Sequence, residues 1–135
     1  MPEPVDSPPL MATTAACGFP SPAEQYVDSP LDLNALLVKQ PAATYFVRAA
    51  GDSMTGAGIF PGDILVVDRS LDIFEGAIVI ACIDNEFTVK YFRRDENGIR
   101  LEPANSAYSV IRLAAEEELR LFGIVTACIR QFQRH

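Results

Sequence analysis

Hydrophobic and polar positions follow no regular period before about Pro30. Over that stretch the chain is rich in Pro, Ser, Thr and Ala. Pro20 and Pro22 fix φ and bias their neighbours to extended shapes. Residues 1–30 are therefore expected to form a flexible N-terminal arm that buries little. A short helix is predicted at Pro30–Lys39, with Pro30 at its first position and Leu33, Leu36 and Leu37 on one face. From Thr44 onward the pattern turns to strands. TYFVRAA (Thr44–Ala50), DILVVD (Asp63–Asp68), AIVIACI (Ala77–Ile83) and EFTVKYF (Glu86–Phe92) are the clearest. Asp84-Asn85 between the last two predicts a hairpin. IRLEP after Asn97-Gly98, then SVIRL and LFGIVTACIRQF, complete the set. Short strands at close spacing predict a mainly β fold, a curved and largely antiparallel sheet spanning 31–135.

Composition narrows the chemistry. The chain has 135 residues and 49% hydrophobic content, enough for one domain with a real core. Formal net charge is −7, and every Lys and Arg lies at or after Lys39. Direct DNA binding through phosphate neutralisation is not expected. No apolar run approaches the ~18 residues of a membrane span. Cys17, Cys82 and Cys128 are odd in number and far apart, which fits a reducing cytoplasm. Cys82 and Cys128 lie in apolar strands and are expected in the core. The single histidine is His135, the last residue. A Ser-His-Asp site and a His-rich metal site are thereby disfavoured. A nucleophilic enzyme of this composition needs a carboxylate or a lysine as base.

Three stretches carry candidate chemistry. GDSM (Gly51–Met54) sets Ser53 where a strand runs into a Gly-rich turn, and backbone N–H groups at such a junction can face a developing oxyanion. The same residues also favour plain turns. In EFTVKYF the period of two puts Thr88, Lys90 and Phe92 on one face. Lys90 is either a solvated lysine or, if that face is covered, an amine whose lowered pKa lets it act as base. In the arm, Ala15-Ala16-Cys17-Gly18 has only small side chains, ahead of Pro20 and Pro22. It reads either as a linker or as a segment able to enter a narrow cleft. Taken together, a small-residue arm, a serine at a Gly-rich turn and a strand lysine are the parts of a self-cleaving Ser-Lys protease.

The chain also resembles the LexA/UmuD family of self-cleaving Ser-Lys proteases. The resemblance rests on CGFPSPA at Cys17–Ala23, DLNALL at Asp32–Leu37, ATYFVRAAGDSM at Ala43–Met54 and Gly62-Asp63. It continues through EFTVK at Glu86–Lys90, NSAYS at Asn105–Ser109 and FGIV at Phe122–Val125. It implies the family's protease domain over 31–135, with no cofactor and no metal. Ser53 is then the nucleophile and Lys90 the general base, with the N–H groups of Ser53 and Asp52 as oxyanion donors and Cys17–Gly18 as the bond cut. It further implies a homodimer that is cleaved when the RecA filament on single-stranded DNA stimulates it. The shortened form would serve a Y-family translesion polymerase as accessory subunit. LexA carries a helix-turn-helix domain ahead of its protease domain; only an acidic arm precedes the cleavage bond here, so a repressor role is not expected. Two other classes stay open: a polymerase-binding subunit that is never cleaved, and a protease that cuts other proteins.

Overall fold

The structure is a computed structural model that describes residues 7–11, 27–113 and 119–133. The chain divides into two units, Met1–Leu37 and Val38–His135.

In the first unit, strand β1 (Pro9–Met11) pairs antiparallel with β2 (Val27–Pro30). Pro9 faces Pro30 at one end of this ladder. Prolines are tolerated there because a two-stranded ribbon leaves half its backbone groups outside the ladder. No periodicity announces either strand. Helix α1 spans Leu33–Leu37, shorter than the predicted Pro30–Lys39. Its start is set by Asp32, whose Oδ1 accepts the N–H groups of Asn34 (3.0 Å) and Ala35 (3.4 Å). An aspartate cap outcompetes a proline two residues earlier because it satisfies N–H groups that the first turn leaves unpaired.

The second unit holds one antiparallel sheet of seven strands. They are β3 (Thr44–Arg48), β4 (Ile64–Asp68), β5 (Ile78–Ile83), β6 (Glu86–Asp95), β7 (Gly98–Glu102), β8 (Ile111–Arg112) and β9 (Leu119–Ile129). Their order is β3-β4-β9-β5-β6-β7-β8, so the last strand in sequence is inserted between β4 and β5. Apolar side chains cover both faces of the central strands. Leu65, Val67 and Ile80 gather with Met54 and Ile59 on one side; Val79, Ala81 and Ile124 gather with Phe92 and Leu101 on the other.

The predicted strands appear close to their expected limits. Asp84 and Asn85 both take positive φ, as a two-residue hairpin turn demands. Strand β9 carries two register shifts, one against β5 between Ile80 and Ala81 and one against β4 between Val66 and Val67. Such bulges bend a strand and increase its twist. Gly123 sits at the first of them with φ 142°, and a Cβ there would lie 2.7 Å from Val67 Cγ1. The second shift corrects one expectation. Cys82 is buried in β5, but Cys128 is exposed on β9. Beyond the bulge Thr126, Cys128 and Arg130 all face outward, so an apolar run of this length is not apolar on both faces. The Cys128 thiol donates to Asp63 Oδ2 at 3.1 Å; loss of solvent around the sulfur, and then this carboxylate, raise its pKa.

Candidate active site

After β3 the chain passes through Gly51, whose φ of 78° turns it sharply toward Asp52 and Ser53. A 3₁₀ turn at Thr55–Ala57 follows. The segment after β7 fastens this loop from outside. The Ala104 N–H donates to Ser53 O at 2.8 Å, and the Gly56 N–H donates to Ala104 O at 2.6 Å. Gly56 is required by this closeness, since a Cβ there would stand 2.4 Å from the Ala104 oxygen. Asn105 Nδ2 donates to Asp52 O at 2.9 Å, and the Tyr108 hydroxyl donates to the Asp52 carboxylate. Among the described residues, no acceptor takes the N–H of Asp52 or of Ser53.

Lys90 comes from the middle of β6, opposite Val79. It is 8% exposed, so the reading of a lysine on a wet strand face does not hold. Its Nζ lies 2.9 Å from Ser53 Oγ, 2.6 Å from Thr88 Oγ1 and 3.1 Å from Val89 O. All three partners are uncharged. Burial without a compensating anion penalises the ammonium and lowers the Lys90 pKa. A neutral amine fits this environment well: two N–H groups donate to Thr88 and Val89, and the lone pair accepts the Ser53 proton. Ser53 and Lys90 are thus brought together across 37 positions of sequence, at the distance a nucleophile and its base require.

Both side chains open onto a cleft of about 780 Å³. Gly51, Asp52 and Ser53 form one wall, and Thr88, Val89 and Lys90 another. Val47, Ile80 and Phe122 make its lining largely apolar, with the Phe87 ring tilted against Phe122 at 5.1 Å between centroids. No group of three or more metal-ligating side chains occurs among the described residues. Cys17 and Gly18 lie outside the described residues. Thr88, Asn105 and Tyr108 were not singled out individually from sequence. Thr88 was legible from its place two residues before Lys90 on one strand face. Asn105 and Tyr108 gave no local signal, because their partner is 53 and 56 positions away.

A serine hydroxyl, a buried lysine whose pKa burial lowers, and backbone N–H groups thus meet at one cleft, and comparison with known proteins finds a peptidase family. The Peptidase S24-like family model matches residues 9–126. The chain belongs to this family. It is 48% identical over 130 residues to Protein SamA of Salmonella typhimurium strain LT2, covering 96% of this chain and 90% of that one. Protein ImpA of Escherichia coli is 45% identical over 123 residues, covering 91% and 83%. A LexA repressor of Delftia acidovorans is 38% identical over 122 residues, which take in 90% of this chain and 54% of the repressor. The resemblance to the LexA/UmuD family is borne out, and so is the mainly β, antiparallel fold.

Proposed function

We propose that this S24 family member is a self-cleaving serine endopeptidase acting through a Ser53–Lys90 dyad on its own Cys17–Gly18 bond. The observation that carries the reading is the 2.9 Å approach of a buried, carboxylate-free Lys90 to the Ser53 hydroxyl. In the proposed reaction Ser53 Oγ attacks the Cys17 carbonyl carbon while Lys90 Nζ takes the hydroxyl proton. The N–H groups of Ser53 and Asp52 hold the oxyanion. The tetrahedral intermediate collapses as the Cys17–Gly18 bond breaks, and Lys90 returns its proton to the Gly18 amine. Water, deprotonated by Lys90, then releases residues 1–17 from Ser53 and leaves a chain of residues 18–135.

The biological setting follows from the family resemblance. Cleavage belongs to the SOS response and is stimulated by the RecA filament on single-stranded DNA, in the cytoplasm. Tethering a substrate is worth ~7–11 kcal/mol in ideal cases. A self-cleaving chain restrains that advantage by rarely holding the docked, deprotonated state, and RecA acts by raising its population. The shortened homodimer then serves as accessory subunit of a Y-family polymerase in translesion synthesis. The acidic balance of the chain supports contact with DNA through partners rather than directly.

The test is intact mass of the full chain after incubation from neutral to alkaline pH, and separately with RecA, nucleotide and single-stranded DNA. Ser53→Ala and Lys90→Ala run alongside. A fragment beginning at Gly18, absent from both variants, is expected. An unbroken chain under every condition overturns the reading in favour of an uncleaved polymerase-binding subunit.

A further inference from the structure

We propose that Asn105 is a positioning residue, assisted by Tyr108, which holds the Asp52–Ser53 peptide so that the Ser53 N–H is presented to the cleft as an oxyanion donor. The inference rests on the dyad reading above and assigns a role to residues outside the dyad.

The argument starts from the peptide group. In a trans peptide the C=O and the following N–H point in opposite directions, and none of the described bonds is cis. The Asp52 carbonyl points at Asn105 Nδ2, 2.9 Å away, and Asn105 is not part of the cleft lining. The Ser53 N–H in the same plane is therefore aimed the other way, where Asp52 and Ser53 border the cleft. Within its own loop the Asp52 carbonyl has only a long 3.3 Å bond from the Thr55 N–H, so Asn105 makes the tighter of its two bonds. The Asn105 amide is itself oriented, because its Oδ1 accepts the Ala107 N–H at 2.9 Å and leaves Nδ2 facing Asp52. Tyr108 holds the same residue a second time, its hydroxyl donating to the Asp52 carboxylate. The next peptide is fixed as well, by Ala104 N–H on Ser53 O at 2.8 Å. One short segment, 104–108, thus sets the plane on each side of the Ser53 Cα.

This arrangement has a catalytic meaning beyond stability. Oxyanion donors act through preorganisation, and losing one costs about 10²–10³ in kcat. A released peptide plane loses part of that advantage, because the donor must be reoriented in each event. None of the Lys90 hydrogen bonds goes to the 104–108 segment, so loosening the clamp is expected to leave the Lys90 titration in place.

Asn105→Ser separates positioning from turn structure without adding a charge. The hydroxyl keeps an acceptor for the Ala107 N–H but is too short to bring a donor to the Asp52 carbonyl. The full chain is incubated across neutral to alkaline pH and the Gly18 fragment is followed by mass. The alkaline plateau is expected to fall at least about tenfold, with the pH midpoint where the parent has it. A parental plateau overturns the proposal, and so does a midpoint that moves, since the residue then acts through Lys90. Ser53→Ala and Lys90→Ala are the controls for the reading beneath: cleavage surviving in either one removes the dyad and the clamp together. If Asn105→Ser does not fold by circular dichroism, Tyr108→Phe decides. It removes one hydroxyl, and its plateau is expected to fall several-fold with the midpoint unchanged; a parental rate overturns the assignment.

Discussion

Gly56→Ala offers a sharp test of how the Ser53 loop is held. Gly56 has no unusual φ, so alanine carries no backbone penalty of its own. The obstacle is space. The new Cβ would sit 2.4 Å from the Ala104 carbonyl oxygen, whereas real Cβ atoms do not approach a heavy atom closer than 3.0 Å. The loop and the 104 segment must therefore separate by about 0.6 Å or more, a shift typical of overpacking. That strains the Gly56–Ala104 hydrogen bond of 2.6 Å and the Ala104–Ser53 bond of 2.8 Å, the two backbone ties between the segments. Weakening two bonds of ~1 kcal/mol each, with overpacking strain of ~1 kcal/mol, gives a loss of ~2–3 kcal/mol. For a domain of this size that is a fall of about 10 °C in Tm. The functional loss is larger. Ser53 moves with its own carbonyl, and misplacement of about 1 Å costs on the order of 10²-fold in rate. Thermal unfolding by circular dichroism and the rate of Gly18-fragment formation measure the two effects. A Gly56→Ala chain that melts and cleaves like the parent refutes the claim that this tie positions Ser53.

Cleavage should rise with pH and level off once Lys90 is neutral, with a midpoint below the ~10.4 of an ordinary lysine, because burial disfavours its ammonium; a rate flat from neutral to alkaline pH excludes Lys90 as base. Lys90→Met should abolish cleavage yet raise Tm at pH 7. The sign follows from linkage: the folded pKa is depressed, so the parent's stability is complete only above the unfolded pKa and declines as pH falls through the folded one. The gap between Lys90→Met and parent should accordingly narrow toward pH 10, and a variant less stable than the parent at pH 7 contradicts this. Asp63 is buried and bonded to Arg130 at 2.7 and 2.8 Å, which holds its carboxyl well below the usual range. The parent should lose stability as pH drops below about 4, where an unfolded aspartate takes up its proton. Arg130→Gln should lower Tm by several degrees at pH 7 and remove part of that acid dependence, as measured by melting curves from pH 7 to 3.

The sheet was legible because its strands announce themselves twice. Alternation and apolar runs mark their bodies, and Asp84-Asn85 and Asn97-Gly98 mark where they turn. Ser53 and Lys90 were legible for a different reason: each sits at a position whose local chemistry has a functional reading, and the lack of any histidine but His135 gives the pair its sense. What sequence hid were properties made by distant partners. Asn105 and Tyr108 matter through Asp52, and Gly56 through Ala104. Cys128 looked like core because its neighbours are apolar, yet the bulge before it turns the odd and even positions of β9 to definite faces. The pairing of β1 with β2 carried no periodicity, since three or four residues around prolines are too few to show one.

The insertion of β9 between β4 and β5 bears on when the molecule can act. The arm is synthesised first and Ser53 soon after, but Lys90 and Asn105 follow much later. The central sheet closes only when β9, the last described strand in sequence, slides between strands made earlier. Until then Val67 and Ile80 have no strand between them and the floor of the cleft is unfinished. On the proposed mechanism, a chain not yet made through β9 carries Ser53 and the Cys17–Gly18 bond without a finished cleft to join them. Under that proposal, synthesis through β9 is itself a first safeguard against premature cutting, one that acts ahead of the proposed RecA signal.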